Sequence, residues 1–202
     1  QTLLVRQILS TIVRDALSHR FRNGAVKMNA ADVCEVFNVT FRNSHRTCIE
    51  GGADEPLYQP ADNDINCHRI FFRSNYASSA LHEIAHWCLA GQDRLKLVDY
   101  GYWYEQSRDL DKQRAFEDAE LAPQSLEWIL SKACGIPFTV SCDNFDVCAT
   151  DREKFRHRLR EVTLARLVAG LPGRAMTFVD RLGNESSTRL ALDSSTYQGL
   201  PN

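Results

Sequence analysis

The clearest hydrophobic pattern in this chain lies in Ser74–Gly91. Ala77, Ala80, Leu81, Ile84, Ala85, Cys88 and Leu89 there trace the i, i+3, i+4, i+7 stripe of an amphipathic helix, with Gly91 as its stop. Residues 2–22 repeat the pattern with Leu4, Ile8, Ile12 and Leu17. Ala31–Phe37 reads as the end of a further helix, Arg42–Gly52 is polar enough to read as loop, and Gly51–Pro60 is turn-rich extended chain. Arg69–Phe72 is a short apolar run that predicts a buried strand leading into Ser74–Gly91. Leu95–Tyr104, rich in aromatic and β-branched residues, predicts a second strand. Gln113–Leu121 and Gln124–Cys134 predict two helices, with Pro123 near the start of the second. Thr139–Thr150 reads as loop and Asp151–Ala169 as a basic amphipathic helix ended by Gly170, and the last ~25 residues are expected to pack poorly.

Composition adds bounds. The chain has 202 residues, 44% apolar and 25% charged with a net charge of −2, which suits one globular domain and gives no case for nucleic-acid binding. No apolar run approaches the ~20 residues of a membrane span. The seven cysteines (Cys34, Cys48, Cys67, Cys88, Cys134, Cys142 and Cys148) are odd in number and contain no C-x-x-C pair. Free thiols in a reduced compartment follow, and the sequons at Asn38 and Asn184 are then coincidental. Arg6, Arg14, Arg20 and Arg22 against a lone Asp15 give the first helix a transit-like character, so an organellar destination stands beside a cytoplasmic one.

The candidate chemistry sits inside the best helix. His82-Glu83-x-x-His86 places two imidazoles one turn apart on one face, where both reach a single cation. Trp87 and Ala90 share that side, which suggests a cleft wall. A third ligand is needed. Leu89 and Gln92 stand where a metzincin needs glycine and histidine, and His19, His45, His68 and His157 have no ligand spacing to the pair. In Phe116-Glu117-Asp118-Ala119-Glu120, Glu120 lies nearest the apolar arc of its predicted helix, where a carboxylate needs a cation or a proton to offset desolvation. Glu120 is the first choice of ligand and Glu117 the reserve. With zinc, Glu83 would serve as general base for peptide hydrolysis; with Fe(II), the same donors form a two-histidine, one-carboxylate site that activates dioxygen. The donor types alone leave both open, and the five-residue motif favours hydrolysis.

The runs ALHEIAHWCLAG, VDYGYWY, FEDAELAPQSLEW and GIPFTVSCDN, with GGADEPLYQPA upstream, resemble the bacterial elongation factor P hydroxylase family, EpmC, over residues 50 to 173. The resemblance implies an α+β fold, with a small sheet packed against helices around a central metal helix. It implies a non-haem Fe(II), dioxygen-dependent hydroxylase of monooxygenase type. The expected partner is elongation factor P, modified on a lysine that already carries a β-lysyl group. The metal set matches His82, His86 and a glutamate within Phe116–Glu120, Glu120 being the first choice and Glu117 the reserve; Glu83 and Glu117 are the further catalytic candidates. Asp99, Tyr102, Tyr104 and Arg108 are the candidate substrate contacts, and the basic face of Arg152, Lys154, Arg156, Arg158 and Arg160 reads as a solvated face before a docking surface for an acidic partner. The chain departs from the family pattern at Glu105–Ser107 and before residue 50, giving a division into an N-terminal segment 1–50, a hydroxylase-like core 51–173 and a tail 174–202. Oligomeric state is not legible.

Overall fold

Helix α1 (Ala30–Phe41) starts where the chain can satisfy its own amide groups. Asn29 accepts from the Asp32 amide while Asp32 accepts from the Asn29 amide, each at 3.0 Å, a reciprocal capping box. Its apolar face, Val33, Val36, Phe37 and Phe41, is buried. The structure, a computed structural model, describes residues 27–63, 65–99, 110–141, 149–185 and 188–202.

Three strands follow, β1 (Thr47–Ala53), β2 (Leu57–Gln59) and β3 (His68–Arg73), in the order β1-β3-β2, with β1 parallel and β2 antiparallel to β3. The predicted strand at Arg69–Phe72 is therefore the centre of the sheet. Its loop-like neighbour Arg42–Gly52 is corrected: it holds most of β1. Asn38 explains how so polar a segment pairs. Its side chain accepts from the Ile49 amide at 2.8 Å and donates to the Ile49 carbonyl at 3.2 Å, which ties the free edge of β1 to α1. The ladder is irregular between Glu50 and Ala53. Gly51 sits there against Phe72, and a Cβ would fall 2.5 Å from the ring.

Helix α2 (Ala77–Leu89) follows β3 and carries the predicted stripe inward, with Ala80, Leu81, Ile84, Ala85 and Cys88 buried. Phe37, Phe41, Trp87 and Phe178 pack edge to face or tilted at centroid distances of 4.8–6.0 Å. Beyond α2 the expected strand Leu95–Tyr104 is not formed where it is described. Arg94–Lys96 is a turn of 3-10 helix, and only Asp99 pairs, bridging to Tyr58; 100–104 lies outside the described residues.

Helix α3 runs unbroken over Leu110–Ala133 with Pro123 inside it. The sequence suggests two helices because an interior proline removes a hydrogen bond and costs about 3 kcal/mol. Burial offsets that cost: Leu121, Leu126, Ile129, Leu130 and Ala133 all face the core. Arg166 and Ser125 also donate to the Ala122 carbonyl beside the proline.

Helix α4 (Ala149–Ala169) bears the predicted basic face, and three arginines of that face contact other elements while Arg152 and Lys154 stay exposed. Arg158 pairs with Asp118, Arg156 donates to the Pro201 carbonyl, and Arg160 to that of Tyr197. The chain end is anchored through buried Ala191, Tyr197 and Pro201, contrary to the expectation of poor packing for the last ~25 residues, although most of its other residues are exposed. Helix α5 (Gly173–Glu185) buries Phe178, Val179 and Leu182, and Tyr197 is fully buried against Trp128. The described residues thus form an α+β fold of five helices around a small mixed sheet. Among them, no helix is long and apolar enough to cross a membrane.

Candidate metal centre

The two histidines of α2 and one glutamate of α3 meet because those helices pack side by side. His82 and His86 project from one face of α2, and their Nε2 atoms lie 3.1 Å apart. Glu120 comes from the opposite wall, with one carboxylate oxygen 3.6 Å from His82 Nε2 and the other 3.4 Å from His86 Nε2. One ligand atom from each of the three lies within 4.8 Å of the other two. Glu120 is only 4% exposed, whereas Glu117, one turn earlier, is half-buried and stands outside the cluster.

A second carboxylate completes the arrangement, and sequence reasoning missed it. Glu127 accepts a 2.9 Å hydrogen bond from His82 Nδ1. It lies seven residues after Glu120, two helical turns along the same face, so the signal was present in the spacing. Breaking the helix at Pro123 hid it. Gln124 sits between the two carboxylates and donates to Glu120 at 3.5 Å. It is itself fixed by Ser141, donating to its carbonyl at 2.9 Å and accepting from its amide at 3.1 Å. The buried polar side chains Glu120, Gln124 and Glu127 thus form one stripe facing α2.

Charges in this pocket are strongly coupled. Burial alone would push His82 down, but the hydrogen bond and charge of Glu127, with Glu83 and Glu120 behind them, raise it to about 10. Burial likewise opposes the charge on Glu120, yet the His86 hydrogen bond and the two imidazoles hold its carboxyl below the usual range. For Glu83 burial wins: its carboxyl is pushed up, with the histidines offsetting this in part and the neighbouring carboxylates adding to it.

The cluster opens onto a cavity of about 60 Å³ walled by Tyr58, Ile70, Trp87 and Phe116, with Arg94 and Asp99 also lining it. Asp99, a predicted substrate contact, is thus near the cluster and is paired with Arg94 at 2.5 Å. On its other side, a broad groove of about 800 Å³ touches His82, Glu83 and Glu127. Tyr102, Tyr104 and Arg108 lie outside the described residues. The C-terminal end of α2 is held by Arg174, which lies 4.7 Å over the Trp87 ring and donates to the Cys88 and Ala90 carbonyls.

Two imidazoles and a buried carboxylate converging on one point are the donor types a divalent first-row metal takes at an open catalytic site. Comparison with known proteins supports the resemblance seen in the sequence. The family model of elongation factor P hydroxylase, EpmC, matches residues 36–196, reaching beyond 50 to 173 on both sides. The elongation factor P lysine hydroxylase of Haemophilus influenzae is 42% identical over 147 residues, which cover 72% of this chain and 83% of that protein. The chain belongs to the elongation factor P hydroxylase family.

Proposed function

We propose that this chain hydroxylates elongation factor P on a lysine that already carries a β-lysyl group, with iron(II) held by His82, His86 and Glu120 and dioxygen as cosubstrate. The observation that carries this reading is the convergence of those three donors at a cavity, in a chain of this family. The donor set fits the ion, since neutral imidazoles and one carboxylate leave positions open for other ligands. Iron bound there would supply the activation of dioxygen.

The chain's own residues supply the rest. Glu127 holds the His82 ring so that Nε2 faces Glu120, and it fixes the proton on Nδ1. Trp87, Ile70 and Phe116 give the cavity apolar walls that limit water. Glu83 stands between the cavity and the groove as a carboxyl raised by burial. Burial disfavours its charge, and the ammonium of the lysyl arm would supply the partner that lets Glu83 ionise and pair with it. Asp99 lines the cavity as a second acidic group, and Tyr102, Tyr104 and Arg108 are assigned to the substrate channel from the sequence. A substrate that serves translation makes the cytoplasm the working compartment.

The test is incubation of anaerobically purified, iron-loaded protein with β-lysylated elongation factor P and dioxygen, followed by intact mass of the factor. A gain of one oxygen that is lost in His82→Ala supports the reading. Tightly bound zinc with peptide cleavage that requires Glu83 would overturn it in favour of a peptidase, and no mass change despite bound iron would overturn the substrate assignment.

A further inference from the structure

The sheet brings two thiols together away from the metal cluster. Cys48 Sγ lies 2.9 Å from Cys67 Sγ. The register explains the approach: Cys48 in β1 pairs with Arg69 in the parallel strand β3, so Cys67, two residues earlier, falls diagonally beside it on the same face. The approach is framed by hydrogen bonds on either side, the His68 amide donating to the Arg46 carbonyl at 2.7 Å and the Arg46 guanidinium to the Asn66 carbonyl at 3.0 Å. The two thiols differ in access. Cys48 is 2% exposed, whereas Cys67 is partly exposed at the lip of the loop before β3.

We propose that Cys48 and Cys67 form a reversible disulfide, making this strand pair a two-electron oxidation site. The oxidant is a peroxide. The Cys67 thiol reacts first, being the accessible one, and takes one peroxide oxygen to become a sulfenic acid with release of water. The Cys48 sulfur then attacks the Cys67 sulfur; the S–S bond forms, the S–O bond breaks, and the two thiol protons leave in the two waters formed overall. Burial and the hydrogen bond to Cys67 push the Cys48 thiol up to about 11, which protects it from direct oxidation and makes its attack on Cys67 depend on the 2.9 Å approach of the two sulfurs. The bond would close the segment that carries Pro56 and Tyr58, two residues lining the metal-site cavity. Tyr58 is tied back to the same strand start, its hydroxyl 3.0 Å from His68 Nδ1 and 3.0 Å from the Leu95 carbonyl. In a reducing compartment such a bond is transient.

The experiment treats the full-length, chelator-washed protein with hydrogen peroxide, blocks free thiols, and digests without reductant. The expected result is a cross-linked peptide pair joining Cys48 to Cys67, a loss of two hydrogens in intact mass, and reversal by dithiothreitol. Cys67→Ser, at the more exposed position, should abolish that loss. Cross-linking of either cysteine to a different one would overturn the inference. So would oxidation of Cys67 to sulfinic acid with Cys48 left free, a persistent two-hydrogen loss in Cys67→Ser, or no reaction.

Discussion

Replacing Glu127 separates the two things its carboxylate does for His82. It accepts from Nδ1 at 2.9 Å while only 5% exposed, so the bond is shielded from water. A hydrogen bond to a charged partner contributes about 1.5–3 kcal/mol, and loss of such an orienting partner typically costs about 10–100-fold in metal affinity, or about 1.4–2.8 kcal/mol. Its charge has a second effect. With His82 raised to about 10, metal at neutral pH must displace a proton, and apparent affinity should climb roughly tenfold per pH unit. Glu127→Gln keeps an acceptor but removes the charge; Glu127→Ala removes both. Competition against a chelator, with cobalt(II) or zinc as probe between about pH 6 and 8.5, reads both effects. Both variants should lose the steep slope toward the alkaline end, and Glu127→Ala should bind about 10–100-fold more weakly than Glu127→Gln. Equal affinities of the two variants would refute the orienting role, and a slope unchanged from the parent would refute the charge effect on His82.

Three other outcomes follow from the packing and the charges. Arg174→Ala removes the cation stacked on Trp87 and the donor to the end of α2, and should cost about 1–3 kcal/mol, read as a melting point several degrees lower; an unchanged melt would show that the contact is idle. Gly51→Ala would put a methyl 2.5 Å from the Phe72 ring, and a loss of about 1–3 kcal/mol in urea is expected where a one-carbon surface change would cost almost nothing. Because the folded-state pKa of His82 is raised, its stabilisation is fully present below about 6.5 and is lost as pH rises through about 10. Metal-free protein should therefore weaken between those values, and metal-loaded protein should not, as followed by thermal melts across that range.

Helix α2 was legible because its stripe, its stop and its two histidines all obey one period. Glu120 was legible too, since a carboxylate near the apolar arc of an amphipathic helix has to be compensated. What failed shares a physical cause: local signals that tertiary contacts override. Pro123 reads as a boundary, yet burial on both sides keeps α3 whole, and only in a continuous helix do Glu120 and Glu127 share a face. β1 reads as loop because glycines and Glu50 interrupt it; pairing with β3 and the clamp from Asn38 supply what its side chains lack. Arg156 and Arg160 of α4 look like part of a solvated or docking face because sequence does not show that the chain end returns to meet them. Residues 188–202 have no strong periodicity of their own, and their order comes from partners such as Lys132, which donates to the Thr196 carbonyl at 2.8 Å.

The most direct measurement is the reaction under isotopically heavy dioxygen, with iron-loaded protein, β-lysylated elongation factor P, and parallel samples of His86→Ala and Glu120→Ala. The account predicts one heavy oxygen on the modified lysine with the parent chain and none with either variant, together with loss of bound iron in both. Oxygen drawn from water, or full incorporation by a variant that no longer binds iron, would contradict it.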